Sequence, residues 1–289
     1  MDISVIFFIQ IIVTILFSFL AAILDLKNGI IPLKLNYSLL FFGLASNLIL
    51  SLITGNIKYI LASFISMIIT NCVVYMLWQL EMWGGGDVRL FTAIASVIPI
   101  GVNIDFLNVF PEVSFYPFAF TVIINSILVS FPFLLFFFIN LLVKNKMFKN
   151  NIDFIFNMIN ITSLKLMIDS TLNERVYIKD LKEGNIVNNY YFNNEYIIEL
   201  IDETDGNLKV YENNEDDEYK YYFKSLSAGG ITKKDMYLLK IMNAQKIISD
   251  EISIKISFPF APSILFGLII AVFYGDIMLL FTKNLILVI

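Results

Sequence analysis

The sequence predicts an all-α polytopic membrane protein with six transmembrane helices and a mixed α/β polar domain between helices five and six. Of its 289 residues, 58% are hydrophobic and only 16% are charged. Apolar stretches near the length needed to cross a bilayer, about 20 residues, recur along the chain. One long stretch, residues 144–256, interrupts them with charged, Asn and Tyr residues. These features together predict a membrane domain with one large polar insertion.

The predicted spans are residues 3–24, 36–54, 57–80, 88–104, 117–143 and 257–282. The fourth is short and contains Pro99, and the fifth contains Pro132, which neighbouring membrane helices can accommodate. The first apolar run is too long for the core of a signal peptide, and no basic residue precedes it. We therefore expect it to remain in the mature protein. The predicted domains are residues 1–143, with helices one to five, 144–256, and 257–289, with helix six.

The predicted polar domain, residues 144–256, carries 15 Lys or Arg and 18 Asp or Glu residues. Segments rich in Tyr, Val and Ile within residues 177–187 and 218–224 predict strands. Thr232 and Asp235 fit a capping box that begins a helix reaching about Ile248. Residues 152–168 predict an amphipathic helix at the membrane interface.

Basic residues set the predicted orientation. With the N-terminus outside, the inner segments are residues 25–35, 81–87 and 144–256. Of the 20 Lys and Arg residues, only Lys58 and Lys283 fall outside these segments and their flanks. The sequence therefore predicts a multi-pass protein of the cell membrane whose polar domain is cytoplasmic.

The composition excludes several kinds of catalytic site. The chain has no histidine, which removes the usual base of serine and cysteine hydrolases and a common zinc ligand. Its one cysteine, Cys72, lies in an apolar run and provides neither a disulfide framework nor a Cys-based zinc site. Carboxylates, lysines and hydroxyls remain for catalysis. We expect no metal, no cofactor and no nucleic-acid partner, and the sequence leaves the oligomeric state open.

Asp25 and Asp87 are acidic residues next to hydrocarbon, where each carboxylate costs roughly 2.5–3.5 kcal/mol at a helix centre. Asp25 ends the first span, and Asp87 precedes the fourth. Two crossings separate them, so both return to the same membrane face. Neighbouring carboxyl groups cannot both ionise readily, so one keeps a proton while the other acts as a base. The pair therefore predicts an aspartyl protease, and the helix dipoles favour Asp87 as the base and Asp25 as the acid.

Simpler interpretations stay open beside this one. Asp87 could be a helix N-cap, and Asp25 could mark the interfacial end of a span. A transporter or channel with the two aspartates as a proton or cation relay is the main alternative, although such a relay would favour the bilayer midplane. A non-catalytic assembly factor is the second, and it would tolerate Asn at both positions. Asp276 is predicted to face the outer interface and to carry no chemistry.

The residues around the two aspartates resemble a known family. The run Gly84-Gly85-Gly86-Asp87 fits the GxGD signature of membrane aspartyl proteases. Residues 25–32, Asp-Leu-Lys-Asn-Gly-Ile-Ile-Pro, resemble the first-aspartate motif of type IV prepilin peptidases and archaeal preflagellin peptidases. With six predicted spans, the chain looks like the archaeal branch. The resemblance implies that Asp25 and Asp87 are catalytic. Lys27 and the three glycines are expected to support substrate approach, the glycines by taking positive φ beside an extended strand.

The resemblance also implies a substrate. Members of this family remove a short basic leader from prepilin-like or preflagellin (archaellin) precursors, which carry class III signal peptides, at the cytoplasmic membrane face. Residues 258–262, Phe-Pro-Phe-Ala-Pro, resemble the entry to the family's final helix. The cysteine-rich segment of the bacterial enzymes is absent from this sequence, so their N-methyltransferase activity is not expected here.

Overall fold

The computed structural model describes residues 3–80, 83–101, 111, 114–144, 173–214, 218–226, 230–256 and 258–288. They divide into a helical unit, Met1–Leu134 with Pro259–Ile289, and a polar unit, Leu135–Phe258. The elements in chain order are α1 (Ile3–Asn28), α2 (Leu33–Thr54), α3 (Lys58–Gln79), α4 (Gly85–Val97), α5 (Phe118–Lys144), β1 (Asn173–Tyr177), a 3-10 turn (Ile178–Asp180), β2 (Ile186–Val187), β3 (Tyr190–Phe192), α6 (Tyr196–Thr204), β4 (Leu208–Glu212), β5 (Tyr221–Ser225), α7 (Lys233–Ala244), β6 (Glu251–Lys255), α8 (Ala261–Phe273) and α9 (Ile277–Val288).

Within the described ranges, four helices are long and apolar enough to cross a membrane: α1, α2, α3 and the Phe118–Asn140 part of α5. The predicted fourth span, 88–104, is represented by α4, which has only 13 residues. This helix stops at Val97 because Ile98 precedes Pro99, and a residue before proline disfavours the helical backbone. The predicted sixth span, 257–282, is divided into α8 and α9.

The division between α8 and α9 is built from a glycine and a buried aspartate. Gly275 has a φ of +84°, which ends α8. Asp276 then caps α9, because its Oδ1 accepts hydrogen bonds from the amides of Met278, at 2.9 Å, and Leu279, at 3.1 Å. Its other carboxyl oxygen accepts from the Tyr116 hydroxyl. The sequence predicts that Asp276 faces the outer interface. In the structure it is instead fully buried and acts as a helix cap.

Small and polar residues hold α4 against α2 and α3. An added Cβ at Gly43 of α2 would collide with the backbone of Ser96 on α4, so the two helices are in close contact. The carbonyl of Ser96, near the end of α4, accepts from Asn47 Nδ2 at 3.0 Å and from Ser63 Oγ at 2.6 Å. Close approach at small residues with interhelical hydrogen bonds is typical of membrane helices, and here it also satisfies a helix-end carbonyl.

The polar unit contains two antiparallel three-stranded sheets, with strand orders β1-β6-β2 and β3-β5-β4. Its core includes Phe223, Ile197 and Leu239, from β5, α6 and α7. The strand predicted within 218–224 is confirmed by β5, whereas the segment 177–187 contains only the last residue of β1, the 3-10 turn and the two-residue β2. The capping box of Thr232 and Asp235 is confirmed, and α7 ends at Ala244 rather than near Ile248. The predicted amphipathic helix, 152–168, lies outside the described residues.

Asp235 connects the N-terminus of α7 to the start of β4 in the polar unit. Its buried carboxylate accepts from the backbone amides of Asn207, Leu208 and Thr232 and from the Thr232 hydroxyl. We expect Asp235→Ala to lower the free energy of unfolding by roughly 3 kcal/mol, since several buried donors lose a charged acceptor at once. Thermal denaturation of the purified full chain, followed by circular dichroism, measures this. Lys234→Ala, an exposed neighbour, is the control and should change little. Equal effects of the two substitutions would contradict the prediction.

Candidate active site

The last turn of α1 places Asp25 at the edge of the helical core. The buried face of α1 carries Ser18, Ala21, Ala22 and Asp25, at spacings of three and four residues that keep them on one side of the helix. Gly29 ends α1 with a φ of +66°, and its amide donates to the Asp25 carbonyl at 2.8 Å. Nothing lies within 4 Å of a Cβ added at Gly29, so backbone conformation, not space, requires glycine there.

The Asp25 carboxyl group lies at the N-terminus of α8. Its Oδ2 accepts a hydrogen bond from the Ala261 amide at 3.0 Å, and the Phe260 backbone donates to it as well. The first amides of a helix have no partner within the helix and carry partial positive charge, so they bind anions. The fold thus provides a stabilising contact for the ionised form of Asp25, from a residue 236 positions away in sequence.

Asp87 lies in the first turn of α4, which begins after Gly84. Its side chain is buried and accepts a hydrogen bond from the Gly84 backbone. This is the carboxylate half of a capping box, in which an acid in the first turn bonds back to the residue before the helix. The Asp25 and Asp87 carboxyl groups are close enough for their negative charges to repel each other. The structure therefore brings the two predicted aspartates into one buried site.

An aromatic stack connects the segments that carry these two carboxyl groups. Trp83 directly precedes the glycine run, and its buried ring stacks on Phe260, with centroids 5.5 Å apart and planes 27° from parallel. The same ring lies 5.1 Å from that of Phe91 on α4. Phe260 directly precedes Ala261, whose amide binds Asp25. Through these rings, the segment that precedes Asp87 packs directly against the segment whose amide binds Asp25.

Space, and not positive φ, distinguishes two of the three glycines. The described glycines with positive φ do not include Gly84, Gly85 or Gly86, so the predicted left-handed conformation is wrong. A Cβ at Gly84 would lie 3.2 Å from Asp87 Oδ2, and one at Gly86 would lie 3.0 Å from the Ile31 Cβ. At Gly85 the nearest atom, Arg89 Nη1, would be 3.5 Å away, an ordinary contact. Space therefore favours glycine at the first and third positions of the run, because a larger residue would require its neighbour to move by a few tenths of an ångström.

Asn36 of α2 holds the backbone of Gly86, the third glycine, by a hydrogen bond. Its Nδ2 donates to the Gly86 carbonyl at 3.1 Å, and the residue is only 1% exposed. Lys27, in contrast, is exposed in the last turn of α1. It is two positions from Asp25, and residues two apart on a helix face opposite directions. The geometry brings together Asp25, Asp87 and the glycine run, and it places Lys27 on the other side of α1.

The contact of Asp25 with a second helix, α8, affects which of the two aspartates holds the proton. The dipole of α1 alone favours a protonated Asp25, because this residue lies near the C-terminus of that helix. The side chain of Asp25 also accepts amide hydrogen bonds at the N-terminus of α8, which favour its ionised form. Both carboxyl groups therefore receive amide hydrogen bonds at helix N-termini, and the shared proton belongs to the pair.

Comparison with known proteins agrees with this site. Residues 12–135, which include Asp25, Asp87 and the glycine run, match the type IV leader peptidase family. Over 139 residues the chain is 37% identical to the prepilin peptidase EppA of Methanothermobacter thermautotrophicus. That alignment covers 47% of this chain and 36% of the relative, so the chain spans little more than a third of the relative's length. The part of the chain that carries both aspartates thus matches the type IV leader peptidase family, which confirms the resemblance drawn from its two aspartate motifs.

Proposed function

We propose that the chain is a membrane aspartyl endopeptidase that removes the short basic leader from prepilin-like or preflagellin precursors. The observation that carries the proposal is the buried pair of Asp25 and Asp87, inside a segment that matches a family of leader peptidases. The substrates proposed are precursors with class III, pilin-like signal peptides. The name of the similar protein, a prepilin peptidase, supports the same activity.

The proposed chemistry follows from two carboxyl groups that share one proton. The ionised member takes a proton from a water molecule, which attacks the carbonyl carbon of the scissile peptide bond. The protonated member donates a hydrogen bond to the carbonyl oxygen and then gives its proton to the leaving amine. The amides of Ala261 and Gly84 hold the two side chains in place during both transfers. No metal, cofactor or nucleic acid has a part in this reaction.

The direct test is cleavage of tagged precursors by membranes that contain the full chain. The panel should include one prepilin-like and one preflagellin precursor, each with a short basic leader before an apolar helix. We expect a size shift equal to the loss of the leader, confirmed by N-terminal sequencing of the product. A precursor whose leader lysines and arginines are replaced by glutamine controls for leader recognition. A panel that stays uncut by well-expressed enzyme would overturn the proposal.

We also propose the arrangement of the chain in the membrane: six spans, both termini outside, and both the active site and residues 144–256 at the cytoplasmic face. The basic residues of the short loops support this orientation. In inside-out vesicles an added protease should cut within residues 144–256, whereas in right-side-out vesicles it should not. The reverse pattern would place the proposed active site on the outer face.

Alanine substitutions at the three glycines of the run are expected to slow cleavage to different extents. Gly84→Ala and Gly86→Ala are expected to slow cleavage by up to about 100-fold, because an added methyl group displaces Asp87 or the chain that carries it. Gly85→Ala is the matched control, and its loss should be clearly smaller, since the added methyl group makes only ordinary contacts. Initial rates, normalised to enzyme in the membrane, give the comparison. A loss at Gly85 equal to the other two would contradict a role through space.

A further inference from the structure

One face of the sheet β3-β5-β4 in the polar unit carries three tyrosines and two lysines: Tyr191, Tyr222, Tyr211, Lys224 and Lys209. The tyrosines are directly opposed across the three neighbouring strands. Each lysine lies two residues from a tyrosine on its own strand, so all five side chains share one face. The residues that alternate with them, such as Phe223, belong to the buried core. These five residues form the Tyr–Lys face, and the strands place no acid on it.

The two lysines of the Tyr–Lys face are directly opposed to each other. Like charges in this position destabilise a sheet. No ion pair joins either lysine to another residue of the described ranges. Residues 144–256 nevertheless hold more acids than bases, 18 against 15. Glu218, in the turn that joins β4 to β5, lies at the other end of the two strands, beyond Tyr221. A positive pair kept apart from the acids of an acidic unit favours an anionic partner.

The arrangement of the tyrosine rings distinguishes between anionic partners. Tyr211 stacks on Tyr222, with centroids 5.4 Å apart and planes 20° from parallel, and Tyr191 lies 5.6 Å from Tyr222 on its other side. Because the rings pack on one another, few ring faces remain for the bases of a nucleic acid. Tyrosine beside lysine is instead typical of the lipid–water interface, and the exposed Leu226 next to Lys224 adds apolar surface.

The opposite side of the same sheet has the opposite charge. Helix α6 packs there, with Ile197 and Ile201 in the same core as Phe223. Its exposed side carries Glu199, Asp202 and Glu203, and the helix contains no basic residue. An anionic surface therefore attracts the Tyr–Lys face and repels α6. Few residues separate β6, which ends at Lys255, from the apolar helix α8, so the polar unit is tethered to a segment of the membrane domain.

We propose that the Tyr–Lys face is a docking surface for the anionic headgroups of the bilayer that contains the chain. Lys209 and Lys224 lie against the phosphates, the tyrosines lie at the lipid–water interface, and α6 faces the water. This inference goes beyond the proposed peptidase function and does not depend on it, because it requires only that the chain lies in a membrane.

The test places a fluorescent label on either side of the sheet in the full-length chain. Cys72→Ser first removes the only cysteine of the sequence. One variant then carries Leu226→Cys, at the edge of the Tyr–Lys face, and the other Glu199→Cys, on the exposed side of α6. Both are labelled with nitrobenzoxadiazole and reconstituted in vesicles that contain a headgroup spin-labelled lipid as quencher. The vesicles consist of phosphatidylcholine alone or of equal amounts of phosphatidylcholine and phosphatidylglycerol.

In the anionic vesicles we expect the label at Leu226→Cys to be quenched about threefold more than the label at Glu199→Cys, since electrostatic attraction acts only close to the surface. The difference should largely disappear in neutral vesicles and at high salt, which screens the attraction. Lys209→Gln combined with Lys224→Gln should remove it as well. This pair of changes relieves a like-charge contact, so the sheet should stay folded, and circular dichroism verifies this.

Lys182→Gln combined with Lys234→Gln is the matched control, because it removes the same charge from exposed positions outside the Tyr–Lys face. This variant should keep the full difference in quenching. Equal quenching of the two labels, or a difference that does not depend on lipid charge or on Lys209 and Lys224, would overturn the proposal. Binding of a labelled single-stranded RNA by the detergent-solubilised chain, lost when Lys209 and Lys224 are replaced, would assign the face to nucleic acid and would overturn it too.

Discussion

Replacing Asp25 or Asp87 with asparagine is expected to slow precursor cleavage by roughly 10²–10⁴-fold, because each change removes one half of the acid–base pair. Asparagine keeps the size of the side chain but cannot take a proton from water. Each single variant should be about as inactive as the double variant, since the two carboxyl groups work as a unit. Initial rates of leader removal, normalised to enzyme in the membrane, measure the effect.

Asp276→Asn is the matched control for this experiment. Asp276 is also a buried aspartate of the helical unit, but it caps α9, and an asparagine oxygen can still accept from the Met278 and Leu279 amides. We expect its cleavage rate to stay within a few-fold of wild type. Normal cleavage by Asp25→Asn or Asp87→Asn would exclude the pair as the catalytic groups. It would favour the relay or the assembly factor instead.

Replacing Trp83 with alanine is expected to cost about 3–5 kcal/mol of folding free energy, because a large buried ring is lost. A second effect should appear at temperatures where the variant remains folded. The stack on Phe260 no longer positions the Ala261 amide relative to the chain before Asp87, so leader cleavage should fall well below wild type. Trp83→Phe keeps an aromatic ring and should lose less of both. Thermal unfolding and cleavage rates of the same preparations give the two values.

A double-mutant cycle distinguishes positioning from stability alone. If Trp83 acts through Phe260, the cleavage losses of Trp83→Ala and Phe260→Ala should be strongly non-additive. Phe133→Ala supplies a control from a second aromatic pair of the helical unit, Phe133–Phe266, and should leave the rate per folded enzyme unchanged. Additive losses for Trp83 and Phe260, or an equal loss at Phe133, would show that the stack has no positioning role.

Local signals made much of this protein predictable from its sequence. The Thr232–Asp235 capping box predicted the start of α7, and the apolar runs predicted α1, α2 and α3 to within a few residues. Counting membrane crossings was sufficient to predict that Asp25 and Asp87 come near each other. The glycine run was predicted to take positive φ, which is wrong, and the close contacts of Gly84 with Asp87 and of Gly86 with Ile31 depend on the fold.

Contacts between distant segments could not be predicted in the same way. The Ala261 amide lies 236 positions from Asp25, and the local sequence indicates only that a helix starts there. The stack of Trp83 on Phe260 has no periodicity that would reveal it. At Gly275-Asp276 the signal was present, because a glycine followed by a capping residue is typical of a helix boundary. The strong hydropathy on both sides concealed it.

The first and last strands of the polar unit, β1 and β6, are paired so that Asn173 stands opposite Lys255. Cα atoms of directly opposed residues in an antiparallel ladder are about 4.5–5.5 Å apart. The chain therefore enters and leaves the two-sheet body at a single point. Because this gap is so short, a linker of a few amino acids could replace residues 173–255 and join the two flanking segments. Insertions or losses in this stretch over evolution need not alter how the rest of the chain is connected.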